Sequence, residues 1–303
     1  MIGALMAAGV AVRTVVLQQA TDFADVSEAL VIVDTIGGRL AVAAMRTLEA
    51  SRRVVLLALM SRGAYAMAVF SHRVIAPSQA LVDELAREIA RDRFIVVRPG
   101  QDPVAAGTVV RDGRRVLCVA NWSPEKGIDL LLDAIAPLAD LHLDLVGDEG
   151  EPTYAAEIQR KVRAPDLAGR VRVWGSLDGE ELARRYRDAS IFALPSRDES
   201  YGMALATALA YGLPSVARAI PATVEVAGSA ALLVTSGRAA ALTTALLTLS
   251  TDAALREQLS HAALERARTF PTWTESEARF VAVIREELDA ATRAARAPRR
   301  DAR

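Results

Sequence analysis

The 303-residue sequence contains a single cysteine, Cys118, which excludes a disulfide framework and a multi-cysteine metal site. Cys118 lies in the apolar run Val116–Val119, where it packs as a small hydrophobe, and a reducing cytoplasm fits that usage. Net charge is almost absent: 36 basic against 37 acidic residues leave −1, no field to gather nucleic acid or an anionic membrane. No stretch reaches the roughly 18 uninterrupted apolar residues of a transmembrane helix. The apolar start, Met1 to Leu17, lacks a basic flank and is interrupted by Arg13, so it reads as domain interior rather than a signal peptide. Also missing are Gly-x-Gly-x-x-Gly after a strand, Gly-x4-Gly-Lys-Ser/Thr, His-Glu-x-x-His and Gly-x-Ser-x-Gly, which removes dehydrogenase, P-loop, zincin and hydrolase readings. No metal site is expected.

What is present is apolar content of 52%, ample for two packed cores at this length. Short β-branched runs alternate with longer alanine-rich amphipathic segments, the βαβ pattern of an α/β protein with parallel sheets. Strands are expected at Val12–Leu17, Ala29–Val33, Val54–Leu59, His72–Ala76 and Phe94–Val97, with helices such as Gly38–Glu49 and Ser78–Arg91 between them. After Arg98-Pro-Gly-Gln-Asp-Pro103 the polar stretch to Arg115 reads as a linker. A second series follows at Arg115–Ala120, Leu141–Val146, Val171–Trp174, Ile191–Leu194, Pro214–Ala217 and Ala231–Val234, then helices at Ala239–Leu249, Asp252–Arg268 and Thr272–Ala295. The expected division is a Rossmann-like domain at 1–103, a second at 104–275, and a helix with an Arg-rich tail at 276–303 that can pack back on the first. The tail from Arg293 carries five arginines and one aspartate, a solvated terminus or a peripheral contact with phospholipid headgroups. The chain opens in a helix, Ile2 to Gly9 with Gly9 as its cap, where a doubly wound domain ordinarily opens with a strand and a Gly-rich turn.

Two segments carry chemistry. In Pro195-Ser-Arg-Asp-Glu-Ser-Tyr-Gly-Met-Ala-Leu, a strand ends at Leu194, a polar loop brings Glu199, and Gly202 allows close backbone approach as a helix starts at Met203. Free N–H groups at a helix start bind anions while a carboxylate beside them accepts hydroxyls, so phosphate and sugar can be held side by side. A Glu199 that only caps the helix accounts for the spacing equally well. In Val116-Leu-Cys-Val-Ala-Asn-Trp-Ser-Pro-Glu-Lys-Gly-Ile-Asp, Lys126 and Gly127 precede a second helix. Lys126 is one of only two lysines among the 36 basic residues, and a compact ammonium at a strand-to-helix loop suits a phosphate; a solvated loop lysine is the plainer reading.

Together these segments resemble family 4 of the retaining GT-B glycosyltransferases, the group 1 glycosyl transferases. Lys126-Gly-Ile-Asp-Leu-Leu131 is similar to that family's Lys-Gly-x-Asp-x-Leu-Leu, and Glu199-Ser-Tyr-Gly-Met with Ala210-Tyr-Gly-Leu-Pro214 to most of its Glu-x7-Glu segment. Leu145-Val-Gly-Asp148 and Val173-Trp-Gly-Ser-Leu177 add to the likeness, which covers residues 111–275 well and the first domain weakly. It implies two Rossmann-like doubly wound sheets facing across a cleft, and transfer of a sugar from a nucleotide-diphospho-sugar to a glycan, lipid or small-molecule acceptor with retention of configuration and no cofactor. By the same resemblance Lys126 neutralises the diphosphate and Glu199 holds sugar hydroxyls, while Gly202, Met203 and Ala204 present backbone amides and Ser176 borders the base. Asn121, Gly127, Gly147, Tyr201 and Thr207 complete the expected donor site in a cytoplasmic bacterial enzyme.

Departures from the family pattern leave alternatives open. Thr207 stands where a ribose-holding glutamate is implied, Asn121 where a second diphosphate cation is usual, and no histidine ends the Val54–Leu59 strand. His72 and His142 read as structural. A degenerate protein that binds nucleotide with little catalysis would show these features; a chain begun at an internal methionine would lack the opening strand and its loop, but that would leave Thr207 unexplained.

Overall fold

The computed structural model describes residues 1–14, 28, 30–35, 38–46, 52–60, 63–104 and 112–296. The chain divides into two compact units, one of residues 1–100 with 271–303 and the other of residues 101–270.

In the first unit four parallel strands, β1 (Leu30–Asp34), β2 (Arg53–Leu57), β3 (Arg73–Ala76) and β4 (Phe94–Val96), pair in chain order. Because successive side chains point to opposite faces, one apolar run feeds two cores. Val31, Val33, Val54, Leu56, Val74 and Phe94 pack under α2 (Gly38–Met45), α3 (Ala64–Ala68) and α4 (Gln79–Leu85). Val55 and Ile75 face the other way, onto Leu5 of α1 (Ile2–Ala7) and onto Phe280, Val283 and Ile284 of the long C-terminal helix, Trp273–Arg296.

That helix starts with a capping box, in which the Thr272 backbone N–H donates to Glu275 Oε2 (2.8 Å) and the Glu275 N–H to Thr272 Oγ1 (3.2 Å). Its Glu287 carboxylate, 2% exposed, accepts from Arg53 of β2 and from Nε of Arg73 of β3 (2.8 Å). α1 ends in a Schellman turn: Gly9 N–H donates to Met6 O and Val10 N–H to Leu5 O, both at 3.0 Å. Gly9 thus lies one residue beyond the cap, Ala8.

The expected strand at Val12–Leu17 is not formed over residues 12–14, and residues 15–17 lie outside the described residues, as do residues 47–49 of the helix expected to end at Glu49. The helix expected over Ser78–Arg91 stops at Leu85, with Ser78 as its cap (Leu81 N–H to Ser78 Oγ, 3.1 Å). No glycine or proline marks that stop; it lets Ile89 turn under and bury, and residues Arg91–Arg93 form a separate 3-10 turn.

The second unit holds six parallel strands: β5 (Arg115–Val119), β6 (His142–Val146), β7 (Val171–Gly175), β8 (Ile191–Leu194), β9 (Ser215–Arg218) and β10 (Leu232–Val234). Their spatial order is β10-β9-β8-β5-β6-β7. From β5 the chain steps outward to β6 and β7, then crosses back to β8 and steps outward the other way. The reversal lies between β5 and β8, both buried on two faces: Val116, Cys118, Ile191 and Ala193 enter one core, and Leu117, Phe192 and Leu194 the other. Burial pushes the Cys118 thiol up to about 12, only partly opposed by the charge of Lys126, so it stays protonated. Among the described residues no helix is long and apolar enough to cross a membrane.

Burial pushes the Glu287 carboxyl up, but hydrogen bonds and charge from Arg53 and Arg73 outweigh it and hold it below its ordinary 4.5. The unfolded chain therefore takes up this proton first on acidification. Its stabilising contribution is complete above about pH 4.5 and is lost as pH falls through the lower folded value. Glu287→Gln is expected to cost about 2–3 kcal/mol at neutral pH and to flatten the acid-side fall of stability, measured by urea unfolding across pH 3–7.

Candidate functional site

At the reversal of strand order two loops leave neighbouring strand ends, the place where an open α/β sheet offers a crevice. The first runs from Ala120 to Gly127 after β5 and enters helix α5 (Ile128–Ile135); beyond α6 (Pro152–Val162) and α7 (Gly179–Asp188), the second runs from Pro195 to Gly202 after β8 and enters α8 (Met203–Ala210). Lys126 Nζ meets Glu199 Oε1 at 2.8 Å, with 28% and 11% of the two side chains exposed. The fully buried Ser196 hydroxyl donates to the same carboxylate oxygen at 2.8 Å. α8 receives no side-chain cap, so Glu199 serves Lys126 and Ser196 rather than the helix start. The first intrahelical bond of α8 comes from the Ala206 N–H to Gly202 O (3.0 Å), so the amides of Met203, Ala204 and Leu205 precede its ladder. Gly202 holds φ +104, the left-handed region that favours glycine, and a Cβ there would sit in ordinary van der Waals contact with Leu194 Cδ2 at 4.0 Å.

The loops are stitched together. Arg197 reaches across to Asp129 of α5 in a bidentate pair, Nη1 to Oδ1 at 2.9 Å and Nη2 to Oδ2 at 2.7 Å, while Nη1 also donates to Pro124 O at 2.6 Å. The Arg197 backbone N–H donates to Glu125 O at 2.6 Å. Tyr154, from helix α6 (Pro152–Val162), donates its hydroxyl to Asp129 Oδ1 (2.7 Å) and accepts from the Asp129 N–H (3.1 Å). Burial pushes the Asp129 carboxyl up, but hydrogen bonds from Arg197 and Tyr154 prevail and hold it below the usual range. A Cβ on Gly127 would lie 2.5 Å from Pro195 O, so the loops touch backbone to backbone.

Asn121 and Gly147 belong to a third junction, between the exits of β5 and β6. Asn121 Oδ1 accepts from the Asp148 N–H (3.2 Å), the Trp122 N–H donates to Asp148 O (2.7 Å), and the Gly147 N–H reaches Gly175 O (2.9 Å). Ser176 is exposed at the exit of the edge strand β7. Met203 is exposed, whereas Tyr201 is buried in the core beneath α8. Thr207 donates its hydroxyl to Gln101 Oε1 at 2.9 Å. His72 Nδ1 accepts from the Val54 N–H (3.0 Å), a structural role, and His142 begins β6.

Residues 113–252 match the family model described as Glycosyl transferases group 1. Two solved structures are similar across both units. One is Anabaena Alr3699/HepE in complex with UDP-glucose (TM-score 0.73, 20% identity, 85% of this chain and 79% of that one). The other is sucrose-phosphate synthase from Thermosynechococcus elongatus (TM-score 0.73, 21% identity, 88% and 75%). The chain has the GT-B fold. Mannosylfructose-phosphate synthase of Agrobacterium fabrum is 32% identical over 47% of this chain and 37% of its own length. D-inositol 3-phosphate glycosyltransferase 1 of Catenulispora acidiphila is 30% identical over 71% and 59%. The chain spans about half the length of the curated relatives it matches.

Within this GT-B framework, sequence reasoning missed Ser196, Arg197, Asp129, Tyr154 and Gln101 as members of the site. Asp129 and Arg197 stand inside the quoted motifs, but their pairing needs the strand order, which brings segments 68 residues apart into contact. At Gly147, φ is +144 and a Cβ would overlap the Ala120 carbonyl oxygen. Gly147→Ala is expected to cost about 2–4 kcal/mol in urea unfolding, because backbone, not a flexible side chain, must give way.

Proposed function

We propose that the protein transfers a glycosyl group from a nucleotide-diphospho-sugar to a glycan, lipid or small-molecule acceptor, with retention of anomeric configuration. The observation that carries this is the Lys126–Glu199 pair held at the strand-order reversal beside the start of α8. Similarity to group 1 glycosyl transferases over residues 113–252 supports it, as does likeness in fold to a protein solved with UDP-glucose.

In this reading the diphosphate lies between the Lys126 ammonium and the leading amides of α8. As the bond from the anomeric carbon to the diphosphate oxygen breaks, the departing oxygen takes the electron pair, and fixed N–H dipoles and a nearby ammonium stabilise the charge that develops. The acceptor oxygen bonds to the anomeric carbon, and its proton passes to the departing diphosphate oxygen, which holds the electron pair of the broken bond. Glu199, set by Ser196, accepts from sugar hydroxyls and so orients the ring. Thr207 with Gln101 stands at the ribose, a neutral pair in place of a carboxylate, and Gly127 and Gly147 keep the crevice floor thin. Ser176, at the β7 exit, borders the base.

Calorimetric titration with UDP and GDP tests the site. Lys126→Ala should weaken nucleotide binding by about 1.5–3 kcal/mol through loss of one charge-assisted contact, and unchanged affinity would remove Lys126 from the phosphates. Thr207→Glu should strengthen binding by about 1 kcal/mol or more, since a carboxylate accepts two ribose hydroxyls and Gln101 can still donate to it. Weaker binding in that variant would mean that the ribose is held elsewhere. Turnover is read as donor hydrolysis and sugar transfer by the same chain.

A further inference from the structure

Exposed ion pairs contribute little on their own, and with 39% of Arg197 and 23% of Asp129 exposed this one would be unremarkable if it joined two arbitrary surface points. It does not. The bonds of the Arg197 side chain to Pro124 and Asp129, and of its backbone N–H to Glu125, all reach the segment 124–129, which brackets Lys126. Arg197 itself is one residue from Ser196 and two from Glu199. Its planar fork needs both Asp129 oxygens in one orientation, and Tyr154 holds that orientation by donating to Oδ1 and accepting from the Asp129 N–H.

We propose that Arg197 is a positioning residue whose bidentate grip on Asp129, locked by Tyr154, sets Glu199 at the height the donor sugar requires. This rests on the reading of the Lys126–Glu199 site given above. The two members of that pair differ in how much misplacement they tolerate. Lys126 carries its charge on a four-carbon stem and can follow a phosphate through a loop shift. Glu199 is short, 11% exposed, and tied to Ser196 three residues away, so a shift of the 195–199 loop carries its carboxylate with it. Releasing Arg197 therefore removes the part of the affinity that depends on sugar hydroxyls and leaves most of the part that depends on the diphosphate.

The test is calorimetric titration of the 303-residue chain with UDP, UDP-glucose, GDP and GDP-mannose, using for each variant the pair that the unaltered protein binds. The readout is the ratio of the dissociation constant for nucleotide to that for nucleotide-sugar. Partial unfolding lowers the number of sites and leaves this ratio alone, so a merely structural role would not move it. In Arg197→Gln the ratio should fall by roughly tenfold, the weight of about one charge-assisted hydrogen bond. Asp129→Asn should reproduce the fall, and Arg197→Lys, which keeps the charge without the fork, should lie between. A ratio unchanged in Arg197→Gln, or both constants rising in step, overturns the positioning role, as does an Asp129→Asn variant that keeps the original ratio. If the unaltered protein binds none of the four compounds, the functional reading itself fails and this proposal falls with it.

Discussion

The structure of the second unit depends on two parallel strands, β5 and β8, that lie side by side while the chain leaves them in opposite directions. A parallel strand cannot turn straight back to its neighbour, so each must hand over to a helix on one face or the other. At a reversal of strand order the two departing loops are not separated by a crossing connection, and their helices start together. Lys126 and Glu199, 73 residues apart in the chain, meet for this reason alone. The apolar runs that bury β5 and β8 on both faces hold the loops at fixed height, and the backbone contact between Gly127 and Pro195 removes the gap between them.

Beside the pairs with Glu287 and Asp129, several arginines share a further task that suits their chemistry. Arginine closes helix C-termini, where unpaired carbonyls need donors in a fork. Arg170 donates to Ala136, Leu138 and Leu141 carbonyls beyond α5. Arg256 donates to Leu249 and Ser250 near the end of the helix Ala239–Thr251, and Arg266 to Val226 and Glu225 near the end of Pro221–Ala227. Arg93 and Arg285 do the same for Ala68 and Ala8. Each places positive charge at the negative end of a helix dipole and satisfies carbonyls the helix leaves over. Lysine, with no fork to offer, is confined to two positions, Lys161 against Asp133 and Lys126 against Glu199.

The alternation of β-branched runs with alanine-rich segments made the ten strands from Leu30 to Val234 readable to within a residue or two, because burial on two faces leaves little freedom in where an apolar run can sit, whereas the run from Val12 forms no strand over residues 12–14. Helix ends without glycine or proline were less readable, as at Leu85, where burial of Ile89 rather than a local signal ends the helix. In the candidate site the places of Lys126 and Glu199, each in a loop between a strand end and a helix, were legible from the local pattern, but their meeting with each other was not. Nor were Arg197 with Asp129, and Thr207 with Gln101. Each joins segments far apart in the chain, and a period-based reading assigns faces to side chains but no partners across a sheet.

Mutual satisfaction of Lys126 and Glu199 also bears on the order in which a donor would be recognised. A diphosphate placed at Lys126 puts negative charge within reach of the Glu199 carboxylate, and the two repel. Sugar hydroxyls relieve that repulsion, since they donate to Glu199 in place of the ammonium that has turned to phosphate. Nucleotide without sugar leaves the carboxylate beside an anion with only the Ser196 hydroxyl to serve it. Under the proposed reading the site therefore holds the intact donor better matched than the nucleotide diphosphate left after transfer, and the carboxylate that orients the sugar also works against retention of the product.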